Sequence, residues 1–190
     1  MKEAYDDQLQ AFNYQELAQR TSAPPTPELF ARILNPRLIT KLIDVCQQIV
    51  VESIELDKIK KHIFYGKKYD PYNCEVLPIP EITQHLLVNE RRMKVIHGII
   101  GIATEAGELL EALLGLLIDG EDFDKINLRE EAGDNFWYLA EMLTGAETSF
   151  SETQRINIAK LAARYGDKFS DQKALNRDLD KERHVLEQAP

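Results

Sequence analysis

Two pairs of acidic residues with matching spacing are the feature of this sequence most able to do chemistry. Glu105 and Glu108 form the first pair, and Glu131 and Asp134 form the second. Residues three apart lie on one face of a helix, so each pair presents two carboxylates side by side if its segment is helical. Apolar residues flank both pairs, which predicts that the acids lie close to helix-packing faces. Four carboxylates facing one another repel strongly, and such a cluster persists if it is protonated or holds a cation.

A metal site is the first interpretation of this pattern, and Mg²⁺, with Mn²⁺ as the alternative, is the ion that all-oxygen ligation favours. The other interpretation is a solvated acidic face, because a single Glu-x-x-Glu pair is common on exposed helices. A ferritin-like di-iron site would need Glu-x-x-His pairs. No histidine of the chain stands three residues after a glutamate, which argues against that site.

Polar and basic residues near the C-terminus form a counterpart to the acids. Asn157, Lys160 and Arg164 share one face of a predicted helix, and Arg177 follows in the next one. An amide and several cations opposite an acidic metal site suit a polyphosphate. Ordinary surface salt bridges are the alternative.

Two further side chains are candidate nucleotide contacts. His97 lies eight residues before Glu105, and Tyr138 lies four residues after Asp134, on the same helix face. Tyr138 could stack on or hydrogen-bond a nucleotide, although aromatic residues at helical spacing more often belong to a core. A satisfied interior histidine is the matching alternative for His97.

Three stretches of the chain, taken together, resemble the all-α NTP pyrophosphohydrolase superfamily, the MazG-like proteins. They are residues 103–109, 129–139 and 157–165, and the resemblance extends over about residues 97–187. It implies metal-dependent cleavage of a nucleoside triphosphate, (d)NTP, between the α and β phosphates, giving (d)NMP and pyrophosphate. The family's metal ligands carry over to Glu105, Glu108, Glu131 and Asp134, and its phosphate contacts carry over to Asn157 and Lys160, with Arg164 beside them.

The resemblance also implies a homodimer or homotetramer, with active sites near subunit interfaces. One position departs from the family pattern: some members have a doubled acid before the first pair, where this chain has Thr104. A same-superfamily enzyme acting on phosphoribosyl-ATP or on dUTP or dCTP is one alternative. A catalytically idle helical module that binds a nucleotide or a protein is another.

The hydrophobic pattern has the helical period almost throughout, which predicts an all-α fold. Residues 81–190 are expected to form a four-helix-bundle-type MazG-like core, and residues 1–80 a helical extension and linker. Gly98, Gly101 and Gly107 predict close helix–helix approach or a kink. Gly107 and Gly133, which lie within the acidic pairs, are expected to let the helix backbones approach closely. The only extended stretch is predicted at Cys74–Ile79. The predicted helices are 5–20, 27–34, 36–65, one from Glu81 or Asn89 to Ile118 that Asp119–Gly120 stops, 128–143 with Asn127 as its cap, a helix following Ser151 that Gly166 ends, and a last helix from Ser170 to Glu187.

Charge and composition restrict the partners. The chain has 190 residues and a formal net charge of −9, and ten of its 32 acidic residues lie between Glu105 and Asp134. No basic stripe accompanies this acidity, which argues against binding to nucleic acid polymers or anionic membranes. The two cysteines lack metal-ligand spacing, and the first residues lack the apolar core of a signal peptide. We therefore expect a cytoplasmic protein.

Overall fold

The computed structural model describes residues 14–70, 89–166 and 168–188 of the chain. Within these ranges the protein is all-α, because helices account for 80% of the residues and no strand occurs. The all-α prediction is therefore confirmed, whereas the extended stretch predicted at Cys74–Ile79 lies outside the described residues. In the same ranges, no helix is long and apolar enough to cross a membrane.

The helices are numbered here in chain order, and a π-helical turn, Gly115–Asp119, extends the fourth. They are α1 (Tyr14–Gln19), α2 (Pro27–Ile33), α3 (Pro36–Tyr65), α4 (Glu90–Leu114), α5 (Lys125–Gly145), α6 (Phe150–Tyr165), α7 (Asp171–Leu175) and α8 (Leu179–Gln188).

The chain forms two compact units. The first, Arg32–Thr148, contains both acidic pairs and is called the carboxylate unit; the second combines the described parts of Met1–Ala31 and Ser149–Pro190 and is called the terminal unit. The boundary predicted at 80/81 lies outside the described residues and stays a prediction. Helix α3, which the sequence analysis assigned to the N-terminal extension, packs against α4 inside the carboxylate unit.

Strong capping residues define the long helix α3. Asn35 has extended backbone geometry, and its side chain accepts hydrogen bonds from the backbone N–H groups of Arg37 and Leu38. Pro36 fits the first helical position because its fixed φ is already helical and its missing N–H would have no partner there. Gly66 ends the helix with a φ of 65°. The predicted bounds 36–65 are confirmed, as is the short helix predicted at 27–34.

Helix α4 begins after Asn89, whose side chain accepts from the backbone N–H of Arg92 at 2.9 Å. Its last turn widens into the π-helical turn, and Gly120 then stops it with a φ of 72°. Of the two predicted starts, Asn89 is the cap of this helix, and Glu81 lies outside the described residues. The predicted stop at Asp119–Gly120 is confirmed.

Glycines allow α4 to pack closely against α3 on one side and α5 on the other. A Cβ atom added at Gly101 would overlap the ring of Tyr138 on α5, and one added at Gly107 would overlap the hydroxyl of Ser53 on α3. Close approach is thus confirmed at both positions, and also at Gly98 against Met142 and the Tyr138 carbonyl. The same expectation for Gly133 is wrong, because nothing lies within 4 Å of a Cβ built there.

Helix α5 begins earlier than its sequence pattern predicts. The side chain of Asp124 accepts from the backbone N–H of Ile126 at 2.8 Å, and the helix starts at Lys125. The prediction of Asn127 as the cap is therefore wrong, because a carboxylate three residues upstream already satisfies the first turn.

Two corrections concern the terminal unit. Ser149, rather than Ser151, caps α6 by accepting from the backbone N–H of Glu152. Gly166 ends that helix as predicted.

The single helix predicted from Ser170 to Glu187 is two helices. Ser170 caps α7 as predicted, but Asn176 leaves helical geometry with φ −113° and ψ 73°. Asp178 then starts α8 by accepting from the backbone N–H of Lys181.

Candidate metal centre

The site is built where α4 and α5 pack together, because each helix carries one of the acidic pairs. Glu105 on α4 and Glu131 and Asp134 on α5 each offer a carboxylate oxygen, and these oxygens all lie within 4.8 Å of one another. We call these three residues the carboxylate triad. Glu105 is 7% exposed and Glu131 is 5% exposed, whereas Asp134 is open to solvent. The fold therefore joins three of the four predicted ligands from the two helices.

Glu108, the fourth predicted ligand, lies outside the triad but interacts with it electrostatically. Partial desolvation and the neighbouring charge of Glu105 raise the pKa of Glu108. Burial, followed by the charges of Glu108 and Glu105, raises the pKa of Glu131 to about 7. Like charges this close oppose full ionisation, and a bound cation is one of the ways in which proteins relieve that repulsion.

The donor set fits a hard divalent cation. Carboxylate oxygens are the ligands that Mg²⁺ and Mn²⁺ prefer in proteins, and every triad residue supplies one. Glu105 and Glu131 are buried and Asp134 is exposed, so the triad is enclosed by protein on one side and open to solvent on the other. The triad could therefore hold a metal ion.

An acidic cleft of about 340 Å³ adjoins the site at Glu108 and Glu131. The π-helical turn contributes Gly115 to its wall, and the loop before α5 contributes Glu121 and Asp122. This cleft could not be predicted from the sequence. The π-helical turn that forms one of its walls has no recognisable hydrophobic periodicity.

A buried lysine from α3 contacts the triad, and the sequence analysis missed it. Lys60 is 2% exposed. Its Nζ lies 2.8 Å from the hydroxyl of Thr104 and 3.4 Å from Oε1 of Glu105. Asp57, one turn earlier on α3, lies 3.1 Å from the same nitrogen. The spacing of Asp57 and Lys60 is a common helical ion pair, so the sequence alone carried no signal for this contact.

His97 and Tyr138 belong to an aromatic cluster between α3, α4 and α5. The His97 ring stacks on Phe64 with centroids 3.9 Å apart, and its Nε2 lies 3.2 Å from the hydroxyl of Tyr65. Burial lowers the pKa of His97, which favours the neutral ring. Tyr138 is also buried and has its ring against both His97 and Trp137. Both residues pack in the interior, and their role as nucleotide contacts stays a prediction.

The predicted phosphate contacts lie in the terminal unit. The side-chain amide of Asn157 donates to the hydroxyl of Tyr14 at 2.7 Å. Lys160 makes no ion pair with any residue in the described ranges.

Arg164 and Arg177 converge on one carboxylate. Both guanidinium groups donate two hydrogen bonds to Glu182, which is 4% exposed. Hydrogen bonds from Arg164 and then Arg177 lower the pKa of Glu182 to about 2. Contact of either arginine with phosphate stays a prediction, and it would have to compete with this ion pair.

Comparison with known proteins adds no assignment: no family model, no curated protein and no solved structure matches the chain. The chemistry of the site therefore rests on its own geometry and on the sequence motifs.

Proposed function

We propose that this chain is a Mg²⁺-dependent nucleoside triphosphate pyrophosphohydrolase that cleaves (d)NTP between the α and β phosphates, giving (d)NMP and pyrophosphate. The observation that carries the proposal is the carboxylate triad, whose oxygens come from two helices and lie within 4.8 Å of one another. The order and spacing of the three MazG-like stretches support the same function. In this proposal residues 81–190 form a MazG-like core of the four-helix-bundle type, and residues 1–80 form an N-terminal helical extension and linker.

The triad residues would hold the ion, with Glu108 as a further ligand beside Glu131. Mg²⁺, or Mn²⁺ in its place, would polarise phosphoryl oxygens and offset the charge of a triphosphate when bound. An anionic substrate could thus approach an acidic protein without the basic stripe that nucleic acid polymers require. The burial of Glu105 and Glu131 would limit water around the reacting phosphate on that side.

The phosphate contacts that the resemblance implies are side chains of the terminal unit. Lys160 is the best candidate, because its ammonium group has no ion-pair partner in the described part of the chain. Asn157 would have to exchange its hydrogen bond to Tyr14 for one to phosphate. Arg164 and Arg177 would act with Glu182 as a shared group, and His97 and Tyr138 would act from the aromatic cluster.

We further propose a cytoplasmic homodimer or homotetramer, with no membrane and no nucleic acid polymer as partner. Helix α3 supports self-association, because an apolar stripe on it is exposed in the single chain. The stripe comprises Leu38, Leu42, Val45 and Ile49, which are between 38% and 55% exposed.

Incubation of the purified chain with a panel of NTPs, dNTPs and phosphoribosyl-ATP in the presence of Mg²⁺ tests the reaction. We expect pyrophosphate and a nucleoside monophosphate as the primary products, with chelation of the metal abolishing both. Orthophosphate as the first product would contradict cleavage between the α and β phosphates.

The same panel separates the alternatives. Exclusive turnover of dUTP or dCTP, or of phosphoribosyl-ATP, would keep the superfamily and change the substrate. Nucleotide binding without turnover of any substrate would favour an idle binding module.

A further inference from the structure

We infer that Lys60 is a positioning residue for Glu105 and acts as the internal counter-ion of the carboxylate triad, a role that rests on the proposed metal site. Its ammonium group occupies the side of Glu105 that faces α3. It therefore holds that carboxylate in the metal-free protein and moderates the affinity of the triad for a divalent cation.

The hydrogen-bond geometry of Lys60 supports this role. An ammonium group has three protons to donate, and Asp57 Oδ1, Thr104 Oγ1 and Glu105 Oε1 all lie within 3.4 Å of Nζ. Thr104 can accept because its own proton is directed to the carbonyl of Gly101 at 2.8 Å. The ammonium group of Lys60 therefore has a partner for each of its protons. In this one side-chain conformation it can hold the Glu105 carboxylate in place.

Burial makes the charge of Lys60 effective. The residue is 2% exposed, and its Nζ lies 4.7 Å from the centre of the buried Tyr138 ring. Solvent screens such a charge far less than a surface one. The packing that brings Lys60 to the site is close, because Gly107 lets α3 approach α4 at Ser53, two turns before Lys60.

The position next to Glu105 gives this arrangement a particular meaning. Thr104, the residue before Glu105, accepts a hydrogen bond from Lys60. A buried cation therefore lies directly beside the Glu105 carboxylate. We expect fewer negative charges to be available to the metal and weaker metal binding than the triad alone would give.

Two neutral replacements, Lys60→Met and Lys60→Gln, test the inference through Mn²⁺ titration by calorimetry, without any nucleotide. Removing the positive charge removes its repulsion of the cation, so both variants should bind Mn²⁺ about tenfold or more tightly than the wild type. The metal-free variants should also unfold at lower temperature, because Glu105 and Asp57 lose their shared partner. Lys60→Gln keeps a donor and serves if Lys60→Met fails to fold.

Lys58→Met is the matched control, because Lys58 is an exposed lysine on the same helix that pairs with Glu55. It should leave Mn²⁺ affinity within about twofold of the wild type, as expected for a solvent-screened surface charge. Lys60→Arg keeps the charge and should also stay close to the wild type. Unchanged or weaker Mn²⁺ binding by the neutral Lys60 variants would overturn the inference.

The test of Lys60 and the test of the proposed hydrolase activity can fail independently of each other. A wild-type protein that binds Mn²⁺ but releases no pyrophosphate from any nucleotide would refute the enzyme and leave the Lys60 result standing. A wild-type protein that hydrolyses nucleotides while the neutral Lys60 variants bind Mn²⁺ normally would refute only the role of Lys60. Absence of Mn²⁺ binding in both the wild type and the neutral Lys60 variants would overturn both.

Discussion

At the scale of single residues, buried charges in both units are held by several partners at once. Lys60 lies among three oxygens in the carboxylate unit, and Glu182 accepts from two arginines in the terminal unit. Groups of this kind are costly to disrupt, because removing one member leaves another charge buried without compensation. Buried charged residues therefore stabilise the fold of each unit together with the apolar residues.

Glu182→Gln should destabilise the terminal unit by about 3 kcal/mol at neutral pH, since two arginines lose their shared anion. The effect should depend on pH. Folding lowers the pKa of Glu182 from about 4.5 to about 2, so its stabilising contribution is complete above the unfolded value and is lost as the pH falls from about 5 toward 2. Urea unfolding across this range measures the difference between wild type and variant, which should shrink as the pH falls.

Glu187→Gln provides the control, because Glu187 pairs with Arg183 and both side chains are more than half exposed. That substitution should change stability by no more than about 0.5 kcal/mol at any pH. Equal losses for the two variants would contradict the account of Glu182 as the centre of a buried ion pair.

At the scale of elements, the contacts of α4 with its two neighbours position the site. Gly101 receives the Tyr138 ring of α5, and Gly107 receives Ser53 of α3. The first contact fixes the register that faces Glu105 toward Glu131 and Asp134. The second delivers Lys60 to the other side of Glu105.

Gly101→Ala should destabilise the protein by about 1–3 kcal/mol, because the added methyl group overlaps the ring of Tyr138 and forces the helices apart. Gly133→Ala is the matched control, since open space surrounds that position. It should be neutral or stabilise α5 by up to about 1 kcal/mol, the difference in helix propensity between the two residues. Urea unfolding of both variants measures these effects, and a Gly101→Ala protein as stable as Gly133→Ala would refute close packing at this contact.

The parts of the structure that local signals determine could be predicted from the sequence. Helix α3 has a capping asparagine, a proline at its first position and a terminal glycine, and its bounds follow from these residues. The triad also follows largely from local spacing, because residues three apart share a helix face and α4 and α5 are joined by a short loop. The break after α7 could not be predicted, because it depends on Asn176 and Asp178 competing with an otherwise helical pattern.

The contact of Lys60 with Glu105 could not be predicted for a different reason. The two residues are 45 positions apart, and their meeting depends on how α3 lies along α4. That register is set by Ser53 against Gly107, a contact between distant segments that spacing along the chain does not encode. Residues 1–80 were predicted only as a helical extension and linker, and the contact of Lys60 with Glu105 shows that α3 reaches the site.

At the scale of the whole molecule, charge and exposed apolar surface indicate how the protein would assemble. The formal charge of −9 is concentrated around the site, where a bound cation would offset part of it. The stripe Leu38, Leu42, Val45 and Ile49 repeats at the spacing of helix-pairing interfaces. We expect α3 to contact a second copy of the chain along this stripe.

Ile49→Asp should reduce the molar mass in solution, measured by light scattering after size exclusion, toward that of a single chain. A charge buried in an apolar helix–helix contact is strongly unfavourable. Ile54→Asp is the control, because Ile54 is exposed to a similar degree but lies on another side of α3. A wild-type protein that is already monomeric, or variants that both remain oligomeric, would contradict an interface along this stripe.

Pyrophosphate release from nucleoside triphosphates in the presence of Mg²⁺ shows whether the protein is a metal-dependent hydrolase whose ion is held by the carboxylate triad. Glu131→Gln should lower the rate by at least about 100-fold. Mutating a residue that only supports a metal ligand costs up to about 100-fold, and a ligand itself should cost at least as much. Glu130→Gln, an exposed neighbour on the same helix, should retain the wild-type rate. Wild-type release of pyrophosphate by Glu131→Gln, or equal loss in both variants, would contradict the claim.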